Sequence, residues 1–248
     1  MPYADLGHYA MYYEEQGQGD PLVLLHAGLS TSAQWASFVP LYAQRYRVLA
    51  TDRWGYGRSG ERPGFARGYL LQDALDLAAF IDDLGLRCVH IVGHSDGGSI
   101  ALLLALKRPE LVRSLVLVAA HTHAEEKTLA GLRRAQELLA SSPAQRERLA
   151  RYLGPRGPEL AKAWYAHWLD PAQNVLDIRD DIGRIRAPTL VIQGVDDEYA
   201  TPQHAEGIAR AISGAELWLI ADCGHGPQFQ HREAFNDRVL AFLAAHEC

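Results

Sequence analysis

Residues 87–108 read RCVHIVGHSDGGSIALLLALKR, and this stretch decides the fold. Residues 89–92 are a short run rich in β-branched side chains, the composition of a buried parallel strand. Gly93-His94-Ser95-Asp96-Gly97 follows without a gap, and residues 99–106 are then apolar and helical in composition. Strand, G-x-S-x-G and helix in that order form the pattern of a nucleophile elbow. The turn is so tight that its central residue takes a backbone conformation normally closed to a side chain. A glycine two positions to either side leaves room for it. Ser95 is thereby raised above the strand end at the start of a helix, whose first amides and dipole favour negative charge. A serine used in this way needs a base, an acid and an oxyanion hole from elsewhere in the chain.

Size and composition point to one globular domain of 248 residues, 48% hydrophobic and 22% charged. The formal net charge of −6 argues against a nucleic-acid surface. No apolar run approaches the roughly 18–20 residues of a membrane span, so no membrane partner is expected. The opening MPYADLGHYAMYYEE has neither a basic region nor an apolar core, so no signal peptide is expected. Cys88, Cys223 and Cys248 are odd in number and far apart, which gives no disulfide framework. A reducing, cytoplasmic location is the resulting expectation. The oligomeric state has no signature here.

Working outward from the elbow, strands are expected at residues 9–14, 22–25, 47–51, 115–119, 189–193 and 216–220. Helices are expected at 32–44, 70–84, 202–212 and from about 232 to 245. Strands alternating with helices imply a mostly parallel sheet covered on both faces. The alternation pauses over residues 121–186, an Arg- and Ala/Leu-rich stretch broken by prolines, read as short helices inserted over the strand ends. Its Trp164, Tyr165, His167 and Trp168 either line a pocket from above or pack the insertion together.

Two further strand ends carry chemistry-grade residues, and ligands in open α/β sheets sit at the carboxyl ends of strands. Asp197 lies three residues after Gly194, and His225 follows Gly224 after the last strand. The order Ser95, Asp197, His225 is that of the α/β-hydrolase triad. With LLHAG, DRWGYGRS, GHSDGG, PTLVIQGVDDEY and DCGHGP, the chain resembles the α/β-hydrolase superfamily over essentially its whole length. Within it, the chain resembles small ester- and lactone-cleaving members, including enol-lactone hydrolases and valacyclovir-hydrolase-like esterases. The resemblance implies an eight-stranded sheet with a helical lid after the sixth strand, matching residues 121–186.

Chemistry then assigns the roles. Ser95 attacks a carbonyl carbon, His225 takes and returns its proton, and an aspartate orients the imidazole. The resemblance favours Asp197 as the acid, with Asp196 as its neighbouring alternative. One oxyanion-hole N–H is that of Asp96. The other is that of Gly28, with Leu29 second, because the family's usual His-Gly-x is here His26-Ala27-Gly28. Asp96 admits two readings: a carboxylate favoured by the helix start, or a recognition group for a cationic substrate. Leu29, Trp164 and Trp168 complete the expected substrate contacts. His121 and His123 form an H-x-H pair without a nearby cysteine or third spaced ligand, so no metal and no cofactor are expected. His204 and His231 are placed on surface helices. The expected activity is hydrolysis of a small carboxylic ester or lactone through an acyl-enzyme. C–C bond hydrolases of ring-cleavage products and cofactor-free perhydrolases or haloperoxidases use the same triad. A non-enzymatic receptor on the same fold is the reading from another class.

Overall fold

Apolar runs closed off by turn residues become neighbouring strands of one sheet. The computed structural model describes residues 2–247, so Cys248 lies outside the described residues. Its strands are β1 Tyr3–Asp5, β2 Ala10–Gln16, β3 Pro21–Leu25, β4 Arg47–Thr51, β5 Val89–His94, β6 Val112–Val118, β7 Thr189–Gly194 and β8 Glu216–Ile220. The helices are α1 Val39–Tyr42, α2 Tyr69–Asp83, α3 Asp96–Lys107, α4 Glu126–Ser141, α5 Pro143–Leu153, α6 Gly157–Leu169, α7 Pro202–Ala211, α8 Pro227–Gln230 and α9 Arg232–Ala244. Among the described residues the sheet has eight strands in the order β1-β2-β4-β3-β5-β6-β7-β8. β2 pairs antiparallel with β1 and with β4, and every later pairing is parallel.

Alternation along the central strands sorts their side chains onto two faces. Val23, Leu25, Ile91, Leu115 and Leu117 pack with Leu77, Ile81, Ile100 and Ile208 of α2, α3 and α7. Leu22, Leu24, Val92, Val116 and Ile192 pack with Trp35, Phe38 and the α9 residues Phe235, Val239 and Phe242. Both faces of the sheet are therefore covered.

Two expectations differ from the structure. β1 was not foreseen, because three residues at a sheet edge are too few to show an alternating pattern. The helix expected at 32–44 breaks into a 3₁₀ turn, Ser32–Trp35, and the single turn α1. Pro40 has no N–H to return to the preceding turn, so it starts a helix rather than continuing one.

The strand order positions the site. The chain leaves β3 for β4 on one side and later returns to β5 on the other, so the β3 and β5 carboxyl ends flank a topological switch point. Leu25 pairs with Gly93, which sets the turn after β3 directly beside the elbow. Between β6 and β7 the chain makes α4, α5 and α6, and residues of this insertion share one cavity with the strand ends.

Candidate active site

Ser95 has φ 54° and ψ −118°, in the region normally left to glycine, and its N–H is held by the Val118 carbonyl at 2.8 Å. The flanking glycines are steric requirements. A Cβ on Gly93 would sit 2.7 Å from the Gly98 nitrogen, and one on Gly97 would sit 2.5 Å from the Leu25 carbonyl oxygen. A single strained residue between two forced glycines signals a function that offsets its cost.

His225 Nδ1–H donates to Asp197 Oδ2 at 2.8 Å, which leaves Nε2 as the free basic nitrogen. Asp197 is fully buried and also accepts from Gln193 Nε2 at 2.6 Å and from the Tyr199 N–H at 2.7 Å. Burial works to raise its pKa, but the His225 hydrogen bond, the imidazole charge and the Tyr199 N–H outweigh it and hold the carboxyl at about 2. Asp196 is exposed and the His225 contact belongs to Asp197, so geometry separates the two candidate acids. His94 holds the His225 backbone from behind. Its Nε2–H donates to the His225 carbonyl at 2.8 Å, while Nδ1 accepts from Gln228 at 3.0 Å and Gln34 at 3.2 Å. Burial, then the nearby His225 ring, lower the His94 pKa to about 3, so the ring stays neutral.

The turn after β3 is oriented by a buried cation. The Ala27 carbonyl accepts from Arg53 at 2.9 Å and from His26 Nδ1–H at 2.7 Å. In a trans peptide the next N–H points the opposite way, so the Gly28 N–H turns away from both donors. Ala27 spends its own N–H on Gln34 Oε1 at 3.1 Å. Among the described residues no protein acceptor takes the N–H of Gly28, Leu29 or Asp96. The Asp96 N–H is the first of α3 and has no intrahelical partner in any case.

Ser95 and His225 open onto one cavity of about 290 Å³. Gly28, Leu29, Asp96, Trp164, Tyr165 and Trp168 line it, whereas the buried Asp197 does not border it and His167 meets the Phe65 carbonyl at 3.1 Å instead. Among the described residues Asp96 is the only acid in the lining, and no Lys or Arg contributes to it. Its Oδ2 accepts from Tyr69 OH at 2.6 Å and from Trp164 Nε1 at 3.0 Å, with Arg53 at 3.7 Å. Burial raises the Asp96 pKa; the Arg53 charge and the two hydrogen bonds oppose it.

The comparisons agree with this geometry: residues 22–238 match the family model described as the alpha/beta hydrolase family. The chain belongs to that family. This α/β hydrolase is 32% identical to a 2-hydroxymuconate semialdehyde hydrolase of Pseudomonas sp. (strain CF600), over 93% of this chain and 89% of that one. It is 30% identical to a 2-hydroxy-6-oxononadienedioate/2-hydroxy-6-oxononatrienedioate hydrolase of Paraburkholderia xenovorans (strain LB400), over 96% and 92% of the two chains. A solved structure of Est816, an N-acyl homoserine lactone degrading enzyme, matches with a TM-score of 0.76 at 27% identity, covering 97% of this chain and 100% of that one. Among the described residues no helix of the hydrolase is long and apolar enough to cross a membrane.

Several cavity residues escaped the sequence reading. His121 is buried, stacks on His225 with ring centroids 6.1 Å apart, and has Nδ1 without a partner. Its position directly after β6, beside the elbow, was the available signal. Tyr199, two residues past Asp197, stands edge-on to the His225 ring at 4.8 Å. His204 is not on the surface: α7 turns it inward, where its Nε2 accepts the Thr122 N–H at 3.0 Å. His123, Glu125 and His204 bring three potential metal donors within 4.8 Å of one another, a grouping hidden by their separation in sequence. The hydrogen bonding fits a neutral histidine instead. With Nε2 accepting from Thr122, Nδ1 carries the proton and faces Glu125 Oε2 at 3.5 Å, and Glu125 already accepts from Thr201 N at 2.8 Å and Thr201 Oγ1 at 2.7 Å.

Proposed function

We propose that this hydrolase cleaves a small, uncharged carboxylic ester or lactone through an acyl-enzyme formed on Ser95. His225 Nε2 removes the serine proton as Oγ attacks the carbonyl carbon, and Asp197 stabilises the resulting imidazolium. The Gly28 and Asp96 N–H groups receive the developing oxyanion. His225 then protonates the leaving alcohol, and water attacks the acyl-enzyme by the same route in reverse. The insertion α4–α6 serves as a lid over the site.

One observation carries the substrate reading: the cavity beside Ser95 has apolar and aromatic walls and no cationic side chain in its lining. A dienedioate, the substrate class in the name of the Paraburkholderia relative, carries two carboxylates and needs cations to offset their desolvation. Neutral esters and lactones need none. A groove of about 1010 Å³ shares Ala27, Leu29, Leu149 and Tyr165 with the cavity and adds Arg148 and Arg151. A longer arm has room there, and a distal carboxylate would meet cations there rather than beside Ser95. Carbon–carbon bond hydrolysis is the second reading, and the two curated relatives named above favour it.

The test is a panel of p-nitrophenyl esters from acetate to octanoate, one lactone and one 2-hydroxy-6-oxo-dienedioate, each with wild type and Ser95→Ala. Ester or lactone turnover that falls by roughly a thousandfold or more in Ser95→Ala is expected. Turnover of the dienedioate alone would overturn the ester reading and establish the second one.

A further inference from the structure

The insertion helix α6 places a single side chain against both residues that supply the proposed oxyanion hole. Trp164 Nε1–H is shared between Asp96 Oδ2 at 3.0 Å and Tyr69 OH at 2.9 Å. The same indole abuts Gly28: a Cβ there would overlap Trp164 Cζ2, sit 2.7 Å from Cε2 and stand 3.0 Å from Asp96 Oδ2. Trp164 is buried, and Trp168 on the next turn adds a second N–H to Tyr69 OH at 2.9 Å. Helix and strand ends are thus joined by a polar seam centred on one carboxylate oxygen.

That seam has an electrostatic consequence. Asp96 offers its backbone N–H to the oxyanion and carries a buried carboxylate on the same residue. An unscreened negative charge this close opposes a second one, and low local polarity makes the opposition strong. Tyr69 OH, Trp164 Nε1 and Arg53 all gather on Oδ2, so donors answer the charge at the oxygen that lies beside Gly28.

We infer that Trp164 is a positioning residue for the oxyanion hole: packed against Gly28, it screens the Asp96 charge beside the hole, so the hole works fully only with α6 docked. This rests on the proposed serine mechanism. The indole N–H contributes to the charged transition state and little to ground-state binding of an uncharged ester, so its loss lowers kcat rather than raising KM.

The experiment measures kcat and KM for a neutral p-nitrophenyl ester, and inhibition by an alkyl boronic acid whose tetrahedral serine adduct places an oxygen in the hole. Trp164→Phe, which keeps an aromatic ring but removes the N–H, is compared in the wild-type and Asp96→Asn backgrounds. Expected in the wild-type background is a roughly 10- to 100-fold loss of kcat, a parallel loss of boronate affinity and a KM within about threefold. The Asp96→Asn background carries no charge at this position, so there the same change is expected to cost less than about threefold. An equal cost in both backgrounds, or a change confined to KM, overturns the inference. Thermal unfolding of each variant identifies misfolding; should Trp164→Phe misfold, Tyr69→Phe, which removes another Oδ2 donor, carries the same comparison. Ester turnover that survives Ser95→Ala marks failure of the underlying mechanism. Turnover abolished by Ser95→Ala but untouched by Trp164→Phe marks failure of the inference alone.

Discussion

Two carboxylates stand on either side of Ser95, each buried and each ringed by donors, and their pKa values move in opposite directions. Asp197 meets the His225 imidazole and the Tyr199 N–H and is held at about 2. Asp96 meets a phenol, an indole and a guanidinium at 3.7 Å, and burial still raises it. In the proposed mechanism Asp197 faces a ring that becomes charged, so its charge is answered when the imidazolium forms. Asp96 is answered by fixed groups, one of them the Trp164 indole of the insertion. Burial and donor number do not separate the two roles. The partner's ability to change charge does.

The largest test of this contrast is paired substitution. Asp197→Asn is expected to lower ester kcat by roughly 10³- to 10⁴-fold, because the imidazole loses both its orientation and its counter-charge. Asp196→Asn, at the exposed neighbour, is expected to change it less than about twofold. Equal effects at the two positions would break the assignment of the acid.

A smaller effect concerns pH. His94 and His121 are held at about 3, chiefly by burial, against an ordinary value near 6.5. As pH falls from about 6.5 towards 3, the unfolded chain takes up protons that these folded side chains refuse, so stability falls by up to about 1.4 kcal/mol per pH unit for each ring. The Asp197 contribution is lost later, as pH falls from about 3.8 to about 2. The melting temperature is therefore expected to fall between pH 6.5 and 4, and His121→Phe to flatten that fall. An unaltered slope in the variant would remove His121 from the account.

The smallest effect sharpens the reading of Asp96. Its Oδ2 is already taken by Tyr69 and Trp164, so Asp96→Asn should leave the rate ratio between an α-aminoacyl ester and its neutral isostere within about threefold of wild type. A selective loss on the amino ester would restore Asp96 as a recognition group for cations.

What could be read from the sequence was local. The elbow announces itself because strand, glycine spacing and helix adjoin, and Asp197 and His225 each follow a strand at the same end of the sheet. The Asp96 partners were not legible. Tyr69 and Trp164 lie 27 and 68 residues away, on helices whose facing sides are decided by packing. His204 was misplaced for the same reason: a polar residue on an amphipathic helix reads as exposed until the insertion supplies Thr122 and Glu125 to meet it. The break near Pro40 was legible in principle, since a proline inside an apolar run is itself a boundary signal.

His94 carries one more consequence, for redesign. It precedes the serine, yet its ring grips the backbone of the base and is in turn held by Gln34 and Gln228. Positions 34, 94 and 228 therefore behave as one exchangeable part. An elbow transplanted from this chain into another scaffold would bring the nucleophile without the device that indexes the histidine loop to it. A library that varies residue 94 alone would sample misaligned bases rather than new activities.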